Sequence, residues 1–175
     1  DFQPKLSVLQ APQKRLWAEL IGVSKPFVLY GGTAIALRLG HRVSVDFNFF
    51  SPKGFDPERL YDTTPFLAGS RVIQKAPNTL TCIVDRAGPV QVSFFGVAKL
   101  KQIQPPSTAP ENDLCVASLI DLAGMQAAVV QQRAEAKDYL DLDAIIRRSG
   151  IDLAFALAAG QFIYGSSFNS QNTLK

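Results

Sequence analysis

Apolar residues at Leu6, Leu9, Leu16, Trp17, Leu20 and Ile21 recur at close to 3.6 residues, which predicts an amphipathic helix over 5–22 ended by Gly22. After Pro26 the run Phe27-Val28-Leu29-Tyr30 is fully apolar and suits a short buried strand. Gly31-Gly32-Thr33 follows directly, with Thr33 placed to cap a helix through Leu39 and Gly40 to stop it. Residues 43–50 then alternate. Val43, Val45, Phe47 and Phe49 share one face of a strand, and Ser44, Asp46 and Asn48 share the other.

A turn at 51–54 leads to Asp56-Pro57, a cap and first residue for a helix to about Leu67. Residues 70–75, 79–85 and 89–96 read as three short strands, separated by Pro77-Asn78 and by Gly88-Pro89. Three prolines within 104–110 mark a linker. Beyond it Asn112 or Asp113 can cap a helix from about Leu114 to Val130. A second helical stretch covers 131–148, and a third begins near Asp152 and fades after Tyr164. The organisation expected is an αβ core over 1–103, a proline-rich linker over 104–111, and a helical part over 112–175 that shares the same cleft.

Composition narrows the class. A chain of 175 residues, 47% hydrophobic and 19% charged, is long enough for one self-sufficient core and too apolar for disorder. Nowhere does an apolar run reach the ~18 residues a membrane span requires, so no membrane partner is expected. Two cysteines, Cys82 and Cys115, supply neither a disulfide framework nor a zinc cluster and suit a reducing cytoplasm. The formal charge of +3 permits a polyanionic partner without demanding one. Asp1 is not an initiator Met, and the last residues stop without a cap, so the natural protein is expected to continue.

Two features carry candidate chemistry. The Gly31-Gly32 turn lets backbone approach a ligand closely and aims amide N–H groups at an anion; a tight strand-to-helix turn needs glycine for purely structural reasons as well. The spacing fits neither a Walker loop nor a dinucleotide fingerprint. On the following strand Asp46 and Asn48 point the same way, roughly 6.5–7 Å apart. A divalent ion such as Mg²⁺ takes oxygen ligands from one or two carboxylates plus substrate phosphates. Asn48 offers a carbonyl oxygen without a charge, and the same face also reads as an ordinary polar strand surface.

Taken together, the stretch from Phe27 through GGTAIALRLGHRVSVDFNFF to Ser51 resembles the AbiEii/AbiGii nucleotidyltransferase toxin family, of the DNA polymerase β-like superfamily. It is similar almost position for position to a GGTALALxLGHRxSVDFDFFS pattern. Gln132 to Leu142 is similar to the family's R-x-x-x-KD-x-x-D pattern, and the likeness runs over roughly 5–174. The resemblance implies an α+β fold, a mixed β-sheet flanked by helices with a helical C-terminal half. It also implies transfer of a nucleotide from an NTP, with Mg²⁺ or Mn²⁺, to an RNA acceptor, tRNA especially. A cognate antitoxin and a part in phage defence or abortive infection belong to the same expectation. Carried over residue by residue, Gly31, Gly32 and Thr33 would cradle the triphosphate, with Arg42, Ser44 and Arg133 also on the nucleotide. Asp46 and Asn48 would hold metal, Lys137 would neutralise phosphate, and Asp138 and Asp141 would orient it or assist the acceptor.

Helical spacing gathers Lys137, Asp138 and Asp141 on one face, and in an unbroken helix Gln126 and Arg133 would join them; a solvated, salt-bridged helix side is the simpler reading of the same spacing. Arg42 is the better phosphate ligand of the His41-Arg42 pair, with His41 positioning the loop. Phe47, Phe49 and Phe50 read as core. Three positions are neutral where the family pattern carries charge: Asn48, Gln126, and Gln91 with Ser93, where a third carboxylate would be sought. Each electrostatic stabiliser of transferring phosphate is typically worth ~3–4 kcal/mol, so weakened catalysis is expected. The competing reading is a catalytically degenerate module that binds a nucleotide or a partner.

Overall fold

The computed structural model describes residues 2–133 and 135–174. Its N-terminal segment is not one helix but three pieces: a 3-10 turn at Leu6–Val8, α1 at Ala11–Trp17, and a second 3-10 turn at Ala18–Gly22. Pro12 explains the break. Lacking an N–H, proline fits only the first turn of a helix, so α1 must begin beside it, and Gln10 and Gln13 close a capping box there.

Strand β1 (Val28–Tyr30) passes straight into α2 (Gly31–Leu39). Gly31 makes this possible with φ of 76°, a left-handed conformation that side chains disfavour. The helix therefore starts two residues before the expected cap, and Thr33 lies inside it. Strand β2 (Asp46–Ser51) is followed by α3 (Pro57–Thr63), capped by Asp56 accepting from the Glu58 N–H. Strands β3 (Arg71–Ala76), β4 (Thr79–Asp85) and β5 (Pro89–Gly96) fall where the alternation placed them.

The proline-rich stretch departs from expectation. Instead of a bare linker it supplies β6 (Ser107–Thr108), which pairs with β7 (Cys115–Val116), and β7 pairs in parallel with β1 through Leu29 and Val116. Residues 114–116, expected in a helix, are thus strand. The seven strands form one mixed sheet in the order β3-β4-β5-β2-β1-β7-β6. Asn112 caps no helix; its amide donates to the Trp17 carbonyl at 2.6 Å and its oxygen accepts from the Leu114 N–H. Ser118 caps α4 (Leu119–Gln132). Asp121 in its first turn is fully buried and accepts from the Ile103 and Gln104 N–H groups, tying the proline-rich chain to the helix.

Helix α4 stops at Gln132 and α5 runs over Ala136–Ser149, so Arg133 and Lys137 flank a turn and share no continuous helix. Asp152 caps α6 (Leu153–Tyr164) by accepting from the Phe155 N–H, and a short α7 (Ser170–Thr173) follows. The core is aromatic at its centre: Phe94 lies 5.1 Å from Phe27 and 5.2 Å from Phe49, ring to ring. No helix among the described residues is long and apolar enough to cross a membrane.

Helices α4 and α6 meet at Gly124 and Gly160. A Cβ on Gly124 would stand 2.8 Å from the Ala159 carbonyl carbon and 2.9 Å from the Gly160 nitrogen, both backbone. Gly124→Ala should therefore force the helices apart and cost about 1–3 kcal/mol, seen as a lower urea midpoint with an unchanged slope.

Candidate active site

Parallel pairing of β2 with β5 sets Asp46 beside Gln91 and Asn48 beside Ser93. The side chains of Asp46, Asn48 and Gln91 face a cavity of about 400 Å³ roofed by α4 and α5, with the Gly31-Gly32 turn at its edge. Alternation holds within β2, where Phe47 and Phe49 are fully buried, and fails before it: Val43 and Val45 are half exposed while Ser44 is buried. Phe50 shares the parity of Asp46 and so lines the cavity beside Phe95, 5.0 Å away ring to ring, while still packing half-buried against the core of Phe47 and Phe49.

Among the described residues no protein donor reaches the Asp46 carboxylate. Burial pushes its pKa up, and the positive charges of Lys137 and Arg133 act against that. Thr33 is buried and points inward. Its hydroxyl donates to the Asp46 carbonyl and shares a 2.8 Å hydrogen bond with Ser44 Oγ, so it fixes the entry to β2. Ser44 also borders the cavity.

The two acids of α5 are already engaged. Asp141, with 2% of its side chain exposed, accepts from His41 Nε2 at 2.6 Å and from Arg42 Nε and Nη2, each at 2.6 Å. Burial alone would raise its pKa, but the hydrogen bonds from His41 and Arg42 together hold it below the ordinary carboxylate value. Asp138 accepts from Arg133 Nε at 2.9 Å and Nη2 at 2.8 Å, and from the Gln126 amide at 3.3 Å. Its pKa is also lowered, Arg133 and its other donors outweighing burial. Lys137 stands at the cavity edge, half exposed, 2.9 Å from Glu135 Oε2.

Gly32 has a steric role that spacing did not reveal. A Cβ there would collide with Arg42 Nη2 and stand 3.1 Å from Asp141 Oδ2, so the second glycine admits the Arg42–Asp141 fork against the helix start. His41 orients the loop, as expected, through a partner 100 residues away. The apolar wall of Ile35, Leu122, Met125 and Val129 was missed as part of the site. Only the parity of Phe50 could have signalled an apolar side to the cavity.

The donor set available to a metal is one carboxylate, Asp46, flanked by the amides of Asn48 and Gln91. No group of three His, Cys, Asp or Glu side chains gathers among the described residues. This suits a single Mg²⁺ whose coordination is completed by substrate phosphates and water, and does not suit a two-metal cage.

Residues 15–165 match the family described as Nucleotidyl transferase AbiEii toxin, Type IV TA system. The chain belongs to the AbiEii nucleotidyltransferase toxin family. It is 32% identical over 135 residues to an uncharacterized protein of Aquifex aeolicus (strain VF5), covering 76% of this chain and 64% of that protein's length. The chain thus spans just under two thirds of the curated relative it matches. Among solved structures, a provisionally assigned nucleotidyltransferase of H. pylori superposes with a TM-score of 0.60 at 15% identity, over 86% of this chain and 74% of the other. MenT4, a nucleotidyltransferase toxin of Mycobacterium tuberculosis, does so at 0.57 and 20%, over 89% and 64%. At such identities these two likenesses establish the α+β fold.

Within this AbiEii member, Asp141 gives the pH signature. Its pKa is lowered by folding, so its stabilisation is complete above the ordinary carboxylate value and is lost as pH falls through the folded one. Asp141→Asn should cost about 3 kcal/mol near neutrality by leaving the donors of His41 and Arg42 without their anion. The gap between parent and variant should shrink below about pH 4, read by urea unfolding across pH. Gly32→Ala should lose a similar amount, because it displaces the same fork.

Proposed function

We propose that this chain transfers a nucleotide from an NTP to a hydroxyl of an RNA acceptor, tRNA being the leading candidate. The observation that carries the reading is the unpartnered Asp46 carboxylate, facing a cavity with a glycine-turned helix start on one side and Arg133 and Lys137 on the other. The N-terminus of α2 and Lys137 receive the triphosphate, while Arg133, its fork held by Asp138, adds its charge to the field. Asp46 would hold one Mg²⁺ with Asn48, an ion that draws charge from the phosphate oxygens when bound. The acceptor oxygen attacks the α-phosphorus, the bond to the β-phosphate oxygen breaks, and pyrophosphate leaves. The hydroxyl proton goes to the free oxygen of Asp46, since Gln91 cannot take it. Arg42 acts by positioning, its fork being spent on Asp141. The family's description as a type IV toxin–antitoxin component supports a cognate antitoxin partner. A cytoplasmic location is supported by two free cysteines.

A second reading, nucleotide binding without transfer, is favoured by the neutrality of Asn48, Gln91 and Gln126. The two separate in one experiment. With α-labelled NTP, Mg²⁺ and bulk tRNA, the parent should transfer label and Asp46→Asn should fall at least about 10²-fold. Asn48→Asp should lower the Mg²⁺ concentration needed for NTP to raise the Tm. An NTP-dependent Tm rise with no transfer by the parent would assign the second reading, and neither response would leave this cavity without a nucleotide role.

A further inference from the structure

A second groove, of about 280 Å³, opens on the same face of the sheet, and Phe50 lines both it and the catalytic cavity. Tyr30, Phe50 and Phe95 form an aromatic row between the two, with ring separations of 5.6 Å and 5.0 Å. The groove's other walls are apolar, including Pro26, Phe27, Leu100 and Pro106. Phe50 lies four residues beyond Asp46 on β2, or about 13 Å along the strand.

Lys25 is the charged residue that lines this groove. Lys53, Lys99 and Lys101 are sequence neighbours of the lining residues Pro52, Leu100 and Gln102, and the one carboxylate acting on the groove's Tyr30, Asp121, is buried and held by the Ile103 and Gln104 N–H groups. All four lysines are exposed, and among the described residues none has a carboxylate within 4.0 Å. Lysines elsewhere do: Lys75 is paired with Glu58 and Lys137 with Glu135. Lys101 lies over the half-exposed ring of Phe162, 5.3 Å from its centre.

We propose that this groove seats an unstacked base near the end of the RNA acceptor, with the adjoining phosphates on the lysines. The inference rests on the nucleotidyl-transfer reading and says where its acceptor lies. Single-stranded RNA is held by apolar and aromatic surfaces against base faces, with cations tracking the backbone, and the groove offers both. A peptide partner would use the apolar walls and leave four unpaired lysines without purpose. The volume is below the ~300–1,000 Å³ of pockets that enclose a whole small ligand, which suits one base better than a complete metabolite. A base seated here places the following nucleotide toward Asp46.

The test uses the full chain and an end-labelled single-stranded RNA oligonucleotide with a free 3′ hydroxyl, followed by anisotropy at several salt concentrations. Lys25→Glu/Lys53→Glu/Lys101→Glu should weaken binding at least tenfold and reduce the salt slope by about 2, at about 0.7 per phosphate contact. Leu100→Trp, filling the groove without changing charge, should weaken binding at least fivefold. A control with equal charge change on exposed residues elsewhere, Lys14→Glu/Arg59→Glu/Arg71→Glu, should lose less than threefold. All variants should keep the parent's NTP-induced rise in Tm, which shows that they fold. Equal losses in the two triple variants would overturn the proposal in favour of diffuse charge. Unchanged affinity in the groove triple or in Leu100→Trp would overturn it and leave the groove to a protein partner. Absence of RNA binding by a parent that NTP stabilises would overturn it alone, whereas absence of NTP stabilisation would strike the transfer reading itself.

Discussion

Asp141 is a carboxylate almost completely removed from water, and such a charge persists only where donors surround it. Three N–H groups do so, all from the loop between α2 and β2. That fork joins α5 to the segment that delivers Asp46, and Gly32 leaves the space it occupies. Remove the anion and all three donors are stranded against a helix start. The second acid of α5, Asp138, does the same for the turn between α4 and α5 by gripping Arg133 and Gln126. Both acids of the Lys-Asp-x-x-Asp stretch are therefore struts of the cavity, and Asp46 is left as the carboxylate free to meet a ligand.

The elements legible in the sequence are those whose cause is local. Strands β3 to β5 declared themselves because alternation and the turns at Asn78 and Gly88 lie within a few residues of each other. The stretch 104–118 did not, because two-residue strands have no period to read; β7 is held by β6 on one side and on the other by β1, some 87 residues earlier. At the N-terminus a helical period was present, but Pro12 overrode it. In each case a local signal lost either to a distant partner or to a missing backbone donor.

The site divides in the same way. The common face of Asp46 and Asn48 follows from strand parity, and only the register with β5 was needed to bring Gln91 alongside. Nothing in spacing could assign His41 and Arg42 to Asp141 across about a hundred residues, or show that a helix and its successor, not one helix, hold Arg133 and Lys137. Phe50 packs against the core as three phenylalanines in four positions suggest, and its even position adds a second surface, on the cavity, that Phe47 and Phe49 lack.

The charge of the cavity follows from these assignments. With Asp138 and Asp141 neutralised by their own partners, the field at Asp46 comes chiefly from Arg133 and Lys137, which oppose the rise in its pKa that burial brings. Asn48 and Gln91 add oxygen atoms without adding negative charge. On the proposed reading, a triphosphate here would rely on cations and a helix N-terminus rather than on these neutral positions. A divalent ion would feel their neutrality more, because charge offsets the cost of its dehydration. The proposed reading therefore has metal and nucleotide binding best together, the phosphates supplying the anionic oxygens that the protein lacks.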